Sequence, residues 1–150
     1  MVVWRICKQK HQQSAFSGIG GLYTAGRWTP QGFLIVYTAE SLAVASLEVF
    51  VHTQSDRIPL IAIRAFITDN AAMTKVDVST LPTDWQKETA YPLLQSIGRQ
   101  CLQAQHTPIL KVPRQLFQSS LTTSLIPCIP TSNSHLTHQC SLSSMSECGK

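Results

Sequence analysis

Arg5, Arg27, Tyr37 and Glu48 are residues of this sequence whose types could act together on one ligand. Two arginines can fork onto a pyrophosphate, because the planar guanidinium presents paired N–H groups that match phosphate oxygens. A tyrosine can pack its ring against a nicotinamide or the ribose that carries it. A single carboxylate can hydrogen-bond that ribose and stabilise positive charge as the glycosidic bond breaks, an electrostatic role of a kind that dominates many active sites. That is the chemistry of NAD+ consumption. Arg5, Arg27 and Tyr37 would bind the dinucleotide, with Arg27, Tyr37 and Glu48 at the reacting bond. Each residue also has a plain structural use. Arg5 suits a strand edge, Arg27 a surface turn, and Tyr37 a core position. Glu48 fits such a use least well, because burying an unpaired carboxylate costs several kcal/mol.

The elements that must position these groups follow from the pattern. Residues 2–6, VVWRI, predict a strand carrying Arg5. A turn-rich stretch, 17–21, leads to Gly26-Arg27-Trp28. Residues 33–37, FLIVY, predict a buried strand ending on Tyr37. Thr38 is placed to cap a helix over 39–52, where Leu42, Ala45 and Val49 recur at i, i+3 and i+7 with Glu48 beside that face. Another strand is expected over 59–68 and a loop over 77–85. A helix over 91–105 has Leu94, Ile97, Cys101 and Leu102 on one side, and a short strand at 109–112 is stopped by Pro113. After Arg114 neither the helical nor the strand period survives, and Ser, Thr, Pro, Cys and His dominate. Composition therefore reads 114–150 as a disordered tail or foreign sequence.

The chain has 150 residues, enough for one domain that buries its own core. Its net charge of +4 is compatible with an anionic ligand. The basic residues are scattered rather than striped with aromatics, which argues against direct nucleic-acid binding. Five cysteines, with no CxxC and no apolar leader, fit a reducing cytoplasm. The apolar runs are too short for a membrane span.

The ordered string GIGGLYTAGRWTPQGFLIVYTAESLAVASLE, residues 18–48, resembles the RES-domain family, the toxin half of RES–Xre toxin–antitoxin pairs. That family's pattern is a Gly-rich turn, Gly-Gly-Arg-Trp-Asn, Val-Tyr-Thr, and then a helix holding Leu-Glu. Further matches are Leu81-Pro82 before Trp85, Gln95 followed by Ile97-Gly98, and Leu110-Lys111-Val112-Pro113, so the resemblance covers residues 2 to 113. Ala25 stands where the first Gly of the pair is usual, and Thr29 where Asn is usual. The resemblance implies an α+β fold, a small mixed β-sheet core with flanking helices similar to ADP-ribosyltransferase toxins. It also implies NAD+ as substrate without a metal, cleavage of the nicotinamide–ribose bond, an Xre-like helix-turn-helix antitoxin as partner, and a homodimer. The family's Arg, Tyr and Glu map onto Arg5, Arg27, Tyr37 and Glu48. Its late Ser, which follows the Val-Pro pair, meets Arg114.

This loss divides the chain into a truncated RES domain, 1–113, and a tail, 114–150, that reads as out of frame or disordered. With permitted codons, starting one base earlier after Pro113 turns the tail into Ser-Ala-Ile-Val-Pro-Val-Glu-Ser-Asn-Tyr-Leu-Ile-Asp-Pro-Leu-His-Pro-Asp-Phe-Lys. That string is similar to the family's continuation. A genuine serine-rich tail is the other reading. Out-of-frame translation also accounts for Cys128, His135, His138 and Cys140, which are zinc-ligand types whose spacing is not that of a standard finger. On this view the chain is an inactive remnant that at most binds its antitoxin.

Overall fold

The computed structural model describes residues 1–52, 59–104, 106–114, 124–127 and 136–137. In chain order the strands and α-helices are β1 (Val2–Lys8), α1 (Gly20–Tyr23), α2 (Leu42–His52), β2 (Leu60–Ile67), β3 (Met73–Lys75), α3 (Tyr91–Ala104), β4 (Ile109–Val112), β5 (Ser124–Pro127) and β6 (Leu136–Thr137). β1 and β2 pair antiparallel, from Val2 opposite Phe66 to Lys8 opposite Leu60, and β6 adds to the other edge of β2. A second sheet has β3 parallel to β4, with β5 antiparallel on the far side of β4. The parallel pair needs a crossover, which α3 provides. The architecture is α+β, with small sheets, one of them mixed, flanked by helices, in agreement with the expected class.

Alternation builds β2. Ile63, Ala65 and Ile67 face inward and are buried, while Arg64 between them is exposed. They share one apolar cluster with Val3, Phe16, Val36 and Ile109. A second cluster lies between α3 and β4, around Trp28, Ile35, Trp85, Leu94, Leu110 and Val112. The Trp28 and Trp85 rings meet there at 6.1 Å and 45°. Leu94 and Leu110 are 0% and 2% exposed, and burial at that level stabilises by about 1.5–3 kcal/mol for each side chain. The apolar face expected on α3 is the one used. Leu94 is in this cluster, with Ile97, Cys101 and Leu102 packed against it.

Phe33–Tyr37 is not a strand, which corrects the expectation from its sequence. Ile35 belongs to one apolar cluster and Val36 to the other. The run is apolar on both sides because it threads between two cores, a pattern that periodicity alone cannot separate from a buried strand. The Ile35 amide donates to the Gly18 carbonyl at 3.2 Å rather than to a ladder. Pairing with β1 is confined to an isolated bridge, where Trp4 and Ala39 exchange backbone bonds of 2.7 and 2.8 Å. That bridge also delays α2. With Ala39 held in extended pairing, the helix begins at Leu42, and Ser41 rather than Thr38 caps it by accepting from the Val44 amide at 3.3 Å.

β3, β5 and β6 have no counterpart in the sequence pattern. Each is short and takes its pairing from a distant strand. Most of the expected tail, including Cys128, His135, His138 and Cys140, lies outside the described residues.

Candidate active site

Arg5 sits in the middle of β1, opposite Ile63. Its Nη1 donates to the Tyr37 carbonyl at 3.1 Å, so the strand and the 33–37 segment are tied beside the Trp4–Ala39 bridge. Its Nε is buried with no hydrogen-bond partner. Burial pushes this guanidinium below its ordinary pKa, opposed by proximity to Cys7. Arg5 thus meets Tyr37 through the tyrosine main chain. The phenol goes elsewhere. Tyr37 Oη lies 2.6 Å from Thr29 Oγ1 and against Gly26, where a Cβ would stand 2.7 Å from Tyr37 Cζ. Burial raises the phenol pKa, opposed by hydrogen bonds at Thr29 and Trp28. Thr29 is itself 1% exposed.

Arg27 is drawn toward the start of α3. Its Nη1 donates to the Gln86 carbonyl at 2.9 Å and its Nη2 to Tyr91 Oη at 3.1 Å. Its guanidinium also stands 4.6 Å from the centroid of the Tyr91 ring, within cation–π range. Gln95 Nε2 donates to the Gly26 carbonyl at 2.9 Å. The turn that carries Arg27 and the pocket that holds the Tyr37 hydroxyl are therefore one piece of structure.

Glu48, on α2, has an ion-pair partner in Arg114, just beyond β4. Arg114 Nη2 is 3.7 Å from Glu48 Oε1, with the two side chains 3% and 39% exposed. That separation is too long for a hydrogen bond. Arg114 Nε and Nη2 are accordingly buried without hydrogen-bond partners. Burial lowers the Arg114 pKa, opposed by the charges of Glu48 and Glu40. Glu40 also pairs with Lys111 at 2.7 Å. The two carboxylates near Arg114 thus come from the approach to α2 and from α2 itself, and the two cations from β4 and its end.

Sequence reasoning missed Tyr91, Gln86 and the Glu40–Lys111 pair. Tyr91 carried a usable signal, a polar-tipped aromatic on the first turn of a helix. The other two had none, because a main-chain carbonyl and a surface-type ion pair are defined only by the fold. Among the described residues, no group of three or more His, Cys, Asp or Glu could hold a metal. No described helix is long and apolar enough to cross a membrane.

Comparison with known proteins gives this geometry a family. A profile of the RES domain matches residues 2–115. Toxin Res of Photorhabdus laumondii subsp. laumondii is 32% identical over 114 residues, covering 75% of this chain and 73% of that protein. The Prs ADP-ribosylating toxin of Sphingobium sp. is 34% identical over 133 residues, covering 85% of this chain and 83% of that protein. Among solved structures, the crystal structure of the M. tuberculosis MbcT–MbcA toxin–antitoxin complex matches with a TM-score of 0.64 over 84% of this chain and 72% of that one. At 17% identity that match speaks for the fold alone. Profile and relatives agree over most of the length, and the chain belongs to the RES domain family.

Proposed function

We propose that the chain is the toxin half of a RES-type toxin–antitoxin pair and that its substrate is NAD+, cleaved in the cytoplasm at the nicotinamide–ribose bond. The observation that carries the reading is Arg5, a cation with a buried, unpartnered Nε beside the Tyr37 backbone. A desolvated guanidinium with an unused donor is stabilised by an anion, and a pyrophosphate is one with matching geometry. The relative named as an ADP-ribosylating toxin supports this choice of chemistry. In this scheme Arg5 and Arg27 hold the pyrophosphate and Tyr37 packs near the nicotinamide ribose. The C1′–N bond breaks with its electron pair leaving on nicotinamide, and the Glu48 carboxylate stabilises the oxocarbenium-like sugar. An acceptor, whether water, phosphate or a protein side chain, then bonds to C1′. No metal enters the scheme. The partner is an Xre-like helix-turn-helix antitoxin, with a homodimer as the assembly and with neither membrane nor nucleic acid bound directly.

Arg114 favours a second reading, in which this chain is a catalytically silent remnant that only binds its antitoxin. A buried cation 3.7 Å from the Glu48 carboxylate neutralises the group that the mechanism uses. It also stands where the resemblance expects a small hydroxyl, as a one-base shift after Pro113 would produce. The test is NAD+ loss in a version with the family's Ser-led continuation restored after Pro113, with and without Glu48→Gln. The substitution keeps the shape and removes the charge, so turnover should collapse. Equal NAD+ consumption by both would sink the mechanism.

A further inference from the structure

Tyr91, Gln95 and Gly98 are spaced i, i+4 and i+7 on α3, which puts them on one face of the helix. Each meets one residue of the Gly26-Arg27-Trp28 turn. Gln95 Nε2 donates to the Gly26 carbonyl at 2.9 Å. The Tyr91 hydroxyl accepts from Arg27 Nη2 at 3.1 Å, with its ring 4.6 Å from the guanidinium. Gly98 lies so close to the Trp28 carbonyl that a Cβ there would overlap it. The Gln86 carbonyl, reached by Arg27 Nη1 at 2.9 Å, completes the hold on the guanidinium from the loop before α3.

A long, half-exposed arginine ordinarily samples many rotamers, and ordering it on binding a ligand costs entropy. Here two N–H groups and one face of the guanidinium are already committed, so its direction is set in advance. Packing does not need the Tyr91 hydroxyl, because α3 docks on the core through Leu94 and the side chains around it. We infer that Tyr91 and Gln95 are positioning residues that aim Arg27 at the pyrophosphate of NAD+. This inference rests on the reading of Arg27 as a phosphate ligand.

The test is a double-mutant cycle on the full chain, with the NAD+ dissociation constant read by calorimetry. Tyr91→Phe keeps the ring and loses the hydroxyl, and should weaken binding roughly 3- to 10-fold, the range for one hydrogen bond. Arg27→Lys loses the fork and should weaken it at least about 10-fold. If Tyr91 acts through Arg27, the double variant should bind within about 2-fold of Arg27→Lys alone, whereas independent effects multiply. Gln95→Met should show the same coupling. Multiplying losses, or a Tyr91→Phe protein that binds like the parent, overturn the positioning role while leaving Arg27 as a phosphate ligand. An Arg27→Lys protein that binds like the parent, or a parent that binds no NAD+, overturns the phosphate-ligand reading and the positioning role with it.

Discussion

Replacing Arg114 by Ala or Ser should raise NAD+ turnover, and the size of the gain follows from the ion pair. Unit charges about 4 Å apart interact by about 1 kcal/mol in water and about 4 kcal/mol near a protein surface. The Arg114 side chain is 3% exposed, but Glu48 is 39% exposed at a separation of 3.7 Å. Solvent around the carboxylate screens the pair, which leaves about 1–2 kcal/mol. If that attraction opposes stabilisation of the developing sugar cation, removing it accelerates the chemical step about 5- to 30-fold. Arg114→Ala isolates the charge effect, and Arg114→Ser adds the hydroxyl that the resemblance leads one to expect there. NAD+ remaining is followed fluorimetrically for the parent and both variants, with melting temperature as the folding control. The Nε and Nη2 of Arg114, buried without hydrogen-bond partners, are themselves unfavourable, so their removal offsets part of the lost packing. A gain for Ser with none for Ala would refute the electrostatic argument and leave only the hydroxyl. No gain for either would mean that Arg114 does not mask Glu48.

Gly98→Ala should destabilise the chain by about 1–3 kcal/mol, because the added methyl is forced into the Trp28 carbonyl; urea unfolding reads this directly. Tyr37 has its folded pKa raised by burial, so its contribution is fully present below the ordinary tyrosine pKa of about 10 and is lost as pH rises through the raised value. Tyr37→Phe should therefore flatten the alkaline limb of melting temperature against pH, and an unchanged limb would mean the phenol is not the group responsible. Co-expression with an Xre-like protein encoded by an adjacent frame should yield a complex that co-purifies; a neighbourhood without such a frame weakens the toxin reading. Sequencing the DNA around codon 113 should show that one added base opens a frame beginning with Ser and running into Asn-Tyr-Leu. Any other reading there removes the frame-shift account of the tail.

What the sequence determined by itself was local or carried by motif. β2 was legible because its consecutive residues are rich in Ile and Ala, and α3 because Leu94, Ile97, Cys101 and Leu102 repeat with the helical period. The family was legible in the order of Gly26-Arg27-Trp28, Val36-Tyr37 and Leu47-Glu48, which needs no three-dimensional information. Tertiary structure decided the rest. Phe33–Tyr37 has the residues of a strand, yet Ile35 and Val36 serve opposite cores, and only the arrangement of those cores shows it. The start of α2 depended on Trp4, far away in the chain, because its bridge to Ala39 keeps that residue out of the helix. The short β3 is held by a parallel partner that arrives only after α3 has crossed over. The orientation of Arg27 by Tyr91 and the closeness of Arg114 to Glu48 were decided in the same way. Hydrogen bonds and ion pairs act over a few ångströms in space, and a separation of 64 or 66 residues along the chain leaves no trace of them in any local pattern.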